Sequence, residues 1–171
     1  MELLRYSLFD SAIGPLEAVM SERGLLRLEF HPKGRMYCER TTRAQWVEDR
    51  DSSGAVREQL AEYFARRRRS FDVPLDLRGT DFQLKCWREL ERIPFCETRS
   101  YAQIANAIEQ PRAFRAVGLA NHSNPVVIIV PCHRVLAADG TLCGYGGGLQ
   151  IKQALLELEG ARAPELGLTP S

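Results

Sequence analysis

Cys132 and His133 are neighbours at the end of the apolar run Val126 to Val130, which sets a thiol beside the side chain best suited to take its proton near neutral pH. The thiolate formed that way is the species that attacks carbon. A histidine base works best when a third group fixes its tautomer, and Glu159 is the candidate because a carboxylate in the last turn of a helix opposes the helix dipole. Such a local conflict often marks function. Each residue also has an ordinary reading: a cysteine after an apolar run is usually an inert buried thiol, and a glutamate at a fraying helix end costs little. Taken together they form a Cys-His-Glu set, which also serves acyl transfer in hydrolases that turn over. The stretch Gly144-Tyr145-Gly146-Gly147-Gly148 lacks a phosphate-loop lysine and suits a pocket wall or a sharp turn better than a nucleotide cradle.

The remaining composition narrows the function further. The chain has 171 residues, 44% of them hydrophobic and 26% charged, enough for one domain or two small ones. With 23 basic against 22 acidic residues, bulk charge cannot hold nucleic acid, so any DNA contact must be local. Such a local surface exists between Thr98 and Val135, where Arg99, Arg112, Arg115 and Arg134 face the single acid Glu109. Five cysteines, an odd number with no Cys-x-x-Cys pair, argue against a disulfide framework, and the start of the chain lacks the pattern of a secretory signal. A reducing, cytoplasmic setting is expected, with no membrane span. His31, His122 and His133 stand at no zinc-ligand spacing, so neither metal nor cofactor is expected. Only Lys33, Lys85 and Lys152 are lysines; all other basic residues are arginine.

The elements that must position these residues read as follows. Leu3 to Phe9, Leu16 to Met20 and Leu25 to Phe30 alternate with turn signals and predict a small antiparallel sheet. His31 to Ser53 reads as polar and irregular. Val56, Leu60, Tyr63 and Phe64 then fall on one helical stripe, with Arg66 to Arg69 complementing the helix C-terminus and staying solvated. Ser70 to Gly79 is an extended connector around Pro74, which places the domain boundary between 1–79 and 80–171. Thr80 with Gln83, and Ser100 with Gln103, are capping-box signals for two helices, the first carrying Phe82, Cys86, Trp87, Leu90 and Ile93. A further helix starts at Pro111 with the small-residue stripe Ala113, Ala116, Val117 and Ala120, giving a helix-turn-helix with Arg112 and Arg115 on one face. Val126 to Val130 reads as a short buried strand or extended segment, the last helix presents Ile151, Leu155 and Leu158 and stops at Gly160, and the tail from Ala161 is loosely held. The fold class is therefore α+β, a small sheet domain followed by a mainly helical one. A regulator built on the helix-turn-helix would need no reactive thiol.

Pro131-Cys132-His133-Arg134-Val135, preceded by Arg115-Ala116-Val117-Gly118 and Ser123-Asn124-Pro125 and followed by Gly144-Tyr145 and Leu158-Glu159-Gly160, resembles the methylated-DNA–protein-cysteine methyltransferases, or O6-alkylguanine-DNA alkyltransferases. The likeness runs from Phe82 to Gly160 and is one of general pattern before that. It implies a ribonuclease-H-like amino-terminal domain and a single, self-inactivating transfer of an alkyl group from guanine O6, and also from thymine O4, in double-stranded DNA to Cys132. By the same resemblance, His133 is a water-mediated base oriented by Glu159, Asn124 holds the turn before the active segment, and Tyr101 donates to guanine N3. Arg115 fills the space of a flipped nucleotide, while Ala116, Tyr101 and Ser100 lie against DNA; Arg112, three residues before Arg115 on the predicted helix face, approaches DNA by that position and not by the resemblance. The Cys132 and Val135 carbonyls read the exocyclic amine, and Tyr145, Gly146 and Gly147 wall the pocket. A monomer is implied, with cooperative binding along DNA compatible with it. Non-catalytic relatives carry tryptophan in place of the reactive cysteine, so Cys132 aligns this chain with the active members.

Some positions depart from the family pattern. Cys96 stands where glycine is common, Val127 where some relatives have proline, and Gly146 where some have serine. The amino-terminal zinc cysteines of some members have no obvious counterpart.

Overall fold

The computed structural model describes residues 1–31 and 44–161. The described chain is α+β and divides into two compact units, one from Met1 to Thr80 together with Pro125–Ile129, the other from Asp81 to Asn124 and onward from Val130. Cys38 and the tail after Ala161, for which the sequence carried expectations, lie outside the described residues.

The first unit is built on strands β1 (Glu2–Phe9), β2 (Leu16–Ser21), β3 (Gly24–Phe30) and β4 (Ala44–Glu48), ordered β3-β2-β1-β4. The first three pair antiparallel as the alternation predicts. Strand β4 pairs parallel with β1, from Glu2 opposite Ala44 to Tyr6 opposite Glu48, where the sequence reading had only irregular chain. Its pattern misleads because it is an edge strand of five residues whose one large apolar anchor, Trp46, packs edge-on against Tyr6. Strand β2 sits inside the sheet and is buried on both faces, Glu17 included. Helix α1 (Gly54–Phe64) buries Val56, Leu60 and Tyr63, the predicted stripe, each worth roughly 1.5–3 kcal/mol of transfer free energy. The arginine run begins after the helix rather than in its last turn, and there Arg68 pairs with Glu62.

Two backbone segments close this unit. Leu25 accepts from and donates to the connector, its N–H reaching the Pro74 carbonyl at 2.8 Å, and a side chain on Gly24 would collide with that carbonyl. The segment 125–129 docks on β3, with the Leu28 N–H on the Pro125 carbonyl at 2.9 Å and the Val127 N–H on the Leu28 carbonyl at 3.0 Å. The strand expected over Val126 to Val130 is absent. Only Val126 forms a bridge, Val127 to Ile129 turn, and buried Ile128 takes φ +71°. Apolar runs of this length signal burial, and burial alone does not choose extended backbone over a turn.

The second unit packs α2 (Asp81–Glu91), α3 (Tyr101–Ala107) and α4 (Phe114–His122) on one another, with Trp87, Leu90, Ile104 and Val117 buried, and packs α5 (Leu149–Glu159), with Leu155 buried, on the turn Cys132–Arg134. The Trp87 indole N–H donates to the Ala120 carbonyl at 2.8 Å, fixing α2 on α4. Ser100 and Gln103 make the expected reciprocal cap at the start of α3. Helix α4 starts at Phe114, not at Pro111. Pro111 to Ala113 belong to the turn, where the Ala113 N–H returns to the Gln110 carbonyl and Glu109 takes φ +61°. Two-residue strands β5 (Arg99–Ser100) and β6 (Val135–Leu136) pair in parallel. That pairing draws the start of α3 beside the residues that follow Cys132. Helix α5 ends on Gly160 in the left-handed region, as expected, but its buried face is Lys152, Leu155, Leu156 and Glu159, turned from the apolar stripe of the sequence. Among the described residues no helix is long and apolar enough to cross a membrane.

Candidate active site

Pro131 redirects the chain into a single helical turn, Cys132–Arg134, whose three side chains are all buried. Burial pushes the Cys132 thiol up to about 11, while a hydrogen bond from Asn124 and the charge of Lys152 pull it down. A thiol in such a place stays protonated at neutral pH unless a base receives its proton.

Next to it in the chain, His133 faces a carboxylate. Its Nε2 lies 2.7 Å from Glu159 Oε1, both side chains fully buried. Facing a carboxylate, Nε2 carries the proton, which leaves the Nδ1 lone pair as the acceptor; Nδ1 is buried with no protein partner among the described residues. Burial lowers the imidazole's proton affinity, with Glu159 working in the opposite direction, so the ring is neutral and ready to accept.

Glu159 is gripped from several sides. Arg134 donates Nε to Oε2 and Nη2 to Oε1, and the Cys96 N–H reaches Oε2 at a long 3.5 Å. Burial alone would raise this carboxyl, but the hydrogen bonds from His133 and Arg134 hold it at about 2. Arg134 itself spends its Nη1 on the Ile93 carbonyl at 2.6 Å and lies over the Phe95 ring. Sequence reasoning counted Arg134 only as part of a basic surface. Its neighbour position to a Cys-His pair, combined with an acid that breaks the dipole rule, was the available signal for a buried ion pair.

Asn124 donates Nδ2 to the Val130 carbonyl at 2.7 Å and Asn121 reaches the Cys132 carbonyl at 3.4 Å, so two asparagines pin the backbone on either side of Pro131. Asn121 is hidden from the sequence because Asn121 to Pro125 reads as a turn-rich loop, whereas Asn121 and His122 form the last turn of α4. Tyr101, first residue of α3, is half-buried and accepts from the Cys143 thiol at 3.4 Å; burial first, then Cys143, raises its hydroxyl above the usual phenol value. Val135 is buried. Tyr145 is half-buried in a turn closed by the Gly148 N–H on its carbonyl at 2.9 Å, with Gly146 exposed and Gly147 half-buried beside it.

Arg115 is exposed on the first turn of α4 and lies 5.9 Å from the Phe114 ring centroid. Ala116 is half-buried behind it, and Ser100 serves as the cap of α3. Arg112, expected on the same helical face as Arg115, is instead in the exposed turn before α4, because Pro111 opens a turn here rather than the helix. Among the described residues no group of three or more histidine, cysteine or acidic side chains stands together as a metal site.

Known proteins match the chain over most of its length. Residues 81–161 match the family model of the 6-O-methylguanine DNA methyltransferase DNA-binding domain, and residues 4–77 match that of its ribonuclease-like domain. A methylated-DNA–protein-cysteine methyltransferase of Mycobacterium bovis is 49% identical over 168 residues, covering 95% of this chain and 96% of the relative. One from Methanosarcina barkeri is 47% identical over 154 residues, covering 90% and 96%. The crystal structure of the Mycobacterium tuberculosis O6-methylguanine methyltransferase superposes with a TM-score of 0.84 at 49% identity, covering 95% of this chain and 96% of that one. The structure of the same organism's OGT in complex with DNA gives 0.81 at 48% identity, again over 95% and 96%. With both domains matched in order and identity near one half over nearly its full length, the chain belongs to the methylated-DNA–protein-cysteine methyltransferase family.

Proposed function

We propose that this protein repairs double-stranded DNA by moving a methyl or larger alkyl group from guanine O6 to Sγ of Cys132, one group per molecule. The observation that carries this reading is the buried Cys132 beside an imidazole whose Nε2 is committed to Glu159 and whose Nδ1 remains to accept. The thiol proton passes through water to His133 Nδ1, and Glu159, held ionised by Arg134, offsets the imidazolium charge. With the thiol near 11, holding it as thiolate at pH 7 costs about 5 kcal/mol, and this relay reduces that cost. The thiolate attacks the alkyl carbon, an S–C bond forms, and the C–O bond breaks with its electron pair going to O6. A hydrogen bond from the Tyr101 hydroxyl to N3 stabilises the departing purine, which finally takes up the proton the thiol gave away.

A target atom inside the duplex is out of reach of a buried thiol, so the nucleotide must rotate out, at a cost of a few kcal/mol. Arg115 is exposed at the start of the second helix of the helix-turn-helix, with a stem and charge suited to filling the vacated stack. Arg112, Ala116 and Ser100 lie against the DNA backbone, Tyr145, Gly146 and Gly147 wall the alkyl pocket, and the Cys132 and Val135 carbonyls read the exocyclic amine.

The thioether product is stable, and the site offers no second acceptor to regenerate the thiol. Mixing the protein with an oligonucleotide duplex carrying O6-methylguanine, followed by intact mass and peptide mapping, should show a gain of one CH2 on Cys132 at a one-to-one limit, and none in Cys132→Ala. Many methyl groups removed per molecule with no gain of protein mass would exclude the reading in favour of a hydrolytic or demethylating enzyme.

A further inference from the structure

Tyr101 opens α3, and its ring lies along α4 at Gly118, where an added Cβ would come within 3.9 Å of two ring carbons. Packing thus sets the ring, while the hydrogen on its oxygen still turns about the C–O bond. A phenol oxygen both accepts and donates, so the direction of that hydrogen follows from what the oxygen accepts.

Two donors meet this oxygen. The Cys143 thiol donates to it at 3.4 Å. The Asn121 side chain directs a second hydrogen bond at it, and its Nδ2 also reaches the Cys132 carbonyl at 3.4 Å, so the two hydrogens of one buried amide serve both. Nothing here takes the phenol hydrogen in return: the Asn121 Oδ1 is buried with no hydrogen-bond partner among the described residues, and the thiol is already turned toward the oxygen as a donor. Burial raises the phenol pKa, so that hydrogen is present to be given.

We propose that Cys143 and Asn121 are positioning residues for alkyl transfer, which fill the acceptor side of the Tyr101 oxygen and thereby aim its hydrogen at the purine N3. The proposal rests on the reading of Tyr101 as the donor to N3. A hydroxyl left to turn freely would spend its hydrogen on the nearest sulfur or carbonyl and would have to break that bond when the base arrives. With both acceptor positions filled it waits as a donor and has no lone pair to offer. The pocket then selects a base that presents an acceptor at this position and disfavours one that presents a hydrogen. Two donors on one oxygen also polarise its O–H bond, which strengthens the hydrogen bond it gives.

The test compares transfer from free benzylguanine with transfer from its 3-deaza analogue, in which C–H replaces N3, so neither flipping nor duplex binding enters. The wild type should prefer benzylguanine, and Tyr101→Phe should remove the part of that preference owed to the hydroxyl. Cys143→Ala should lower the preference roughly fivefold, the scale of one hydrogen bond out of line, and Cys143→Ser, which keeps a donor, should restore it. Added to Tyr101→Phe, Cys143→Ala should change the preference no further. Asn121→Leu should slow both substrates through the Cys132 carbonyl and lower the preference as well. Equal slowing of both substrates in Cys143→Ala and in Asn121→Leu would reduce the two residues to packing, and a preference that rises in Cys143→Ala would show the phenol donating to the sulfur; either result overturns the proposal. In the unsubstituted protein the S–H stretch of Cys143, identified by its loss in Cys143→Ser, should lie below that of a non-donating thiol. A band at the non-donating position would sink the assignment even where the alanine variant does not fold. A Tyr101→Phe protein with the full wild-type preference would instead count against Tyr101 as the donor to N3, a different failure.

Discussion

The guanidinium of Arg134 meets the carboxylate of Glu159 through two parallel hydrogen bonds, Nε to Oε2 and Nη2 to Oε1, each 2.9 Å long. This two-point grip fixes the plane of the carboxylate and hence the direction in which Oε1 faces His133. Lysine provides a point charge with no fork, so Arg134→Lys should leave one carboxylate oxygen short of a donor and strand the Ile93 carbonyl. A loss of about 3 kcal/mol in urea unfolding is expected, with slower transfer from benzylguanine in the folded fraction. An unchanged unfolding midpoint would show that the pair contributes orientation without stability.

Glu159 also sets an acid limit. Its folded value near 2 lies below the unfolded value of about 4.3, so the unfolded chain binds the proton more readily. The stability it contributes is complete above about pH 5 and drains away as the pH falls toward 2, by as much as ~3 kcal/mol. Urea titrations of the wild type at pH 7, 4 and 3 should show this slope, and Glu159→Gln should flatten part of it. Parallel pH dependence in the two proteins would mean other carboxylates carry the acid sensitivity.

The two arginines of the helix-turn-helix should separate cleanly. Arg112 sits in the turn and Arg115 on the first turn of α4, beside the exposed ring of Phe114. Arg112→Ala should weaken duplex binding and reduce its salt dependence. Arg115→Ala, at saturating DNA, should slow transfer from duplex DNA by one to two orders of magnitude, on the order of the few kcal/mol that flipping costs, and leave transfer from free benzylguanine nearly unchanged. Equal slowing on both substrates would assign Arg115 to the pocket or the fold.

Cys96 holds φ +71°, a left-handed conformation that costs a side-chain-bearing residue about 1 kcal/mol and glycine nothing. Cys96→Gly should therefore gain stability by about that amount, with its N–H still directed at Glu159, and Cys96→Val should lose more than it. A destabilised Cys96→Gly would mean that the thiol contributes packing, for instance on Gly160, that outweighs the strain.

The backbone geometry at Cys96 also shows why some of this molecule was readable in advance. A glycine-preferring position in the family pattern corresponds to a positive φ, and the dipole conflict at Glu159 corresponds to a buried acid held by His133 and Arg134. The capping box at Ser100, the stripe of α1 and the stop at Gly160 are local signals, and all three are found in place. The misses share a different origin. Strand β4 exists through its pairing with β1, the turn over Val127 to Ile129 through its docking on β3, and the buried face of α5 through Lys152 and Glu159, whose polarity sets them outside any apolar stripe. Long-range hydrogen bonds decided each of these, and no window of sequence contains both partners.

The interruption of the second unit by Pro125–Ile129 bears on how the chain is made. These five residues complete the β3 side of the first unit, yet they are synthesised 45 residues after its first stretch ends at Thr80. On the ribosome the amino-terminal sheet must therefore wait, its β3 backbone unsatisfied at Leu28, until the helix-turn-helix has already emerged. The nucleophile follows within a few residues of that closing segment, so completion of the first unit and delivery of the reactive thiol become nearly a single event in the life of each molecule.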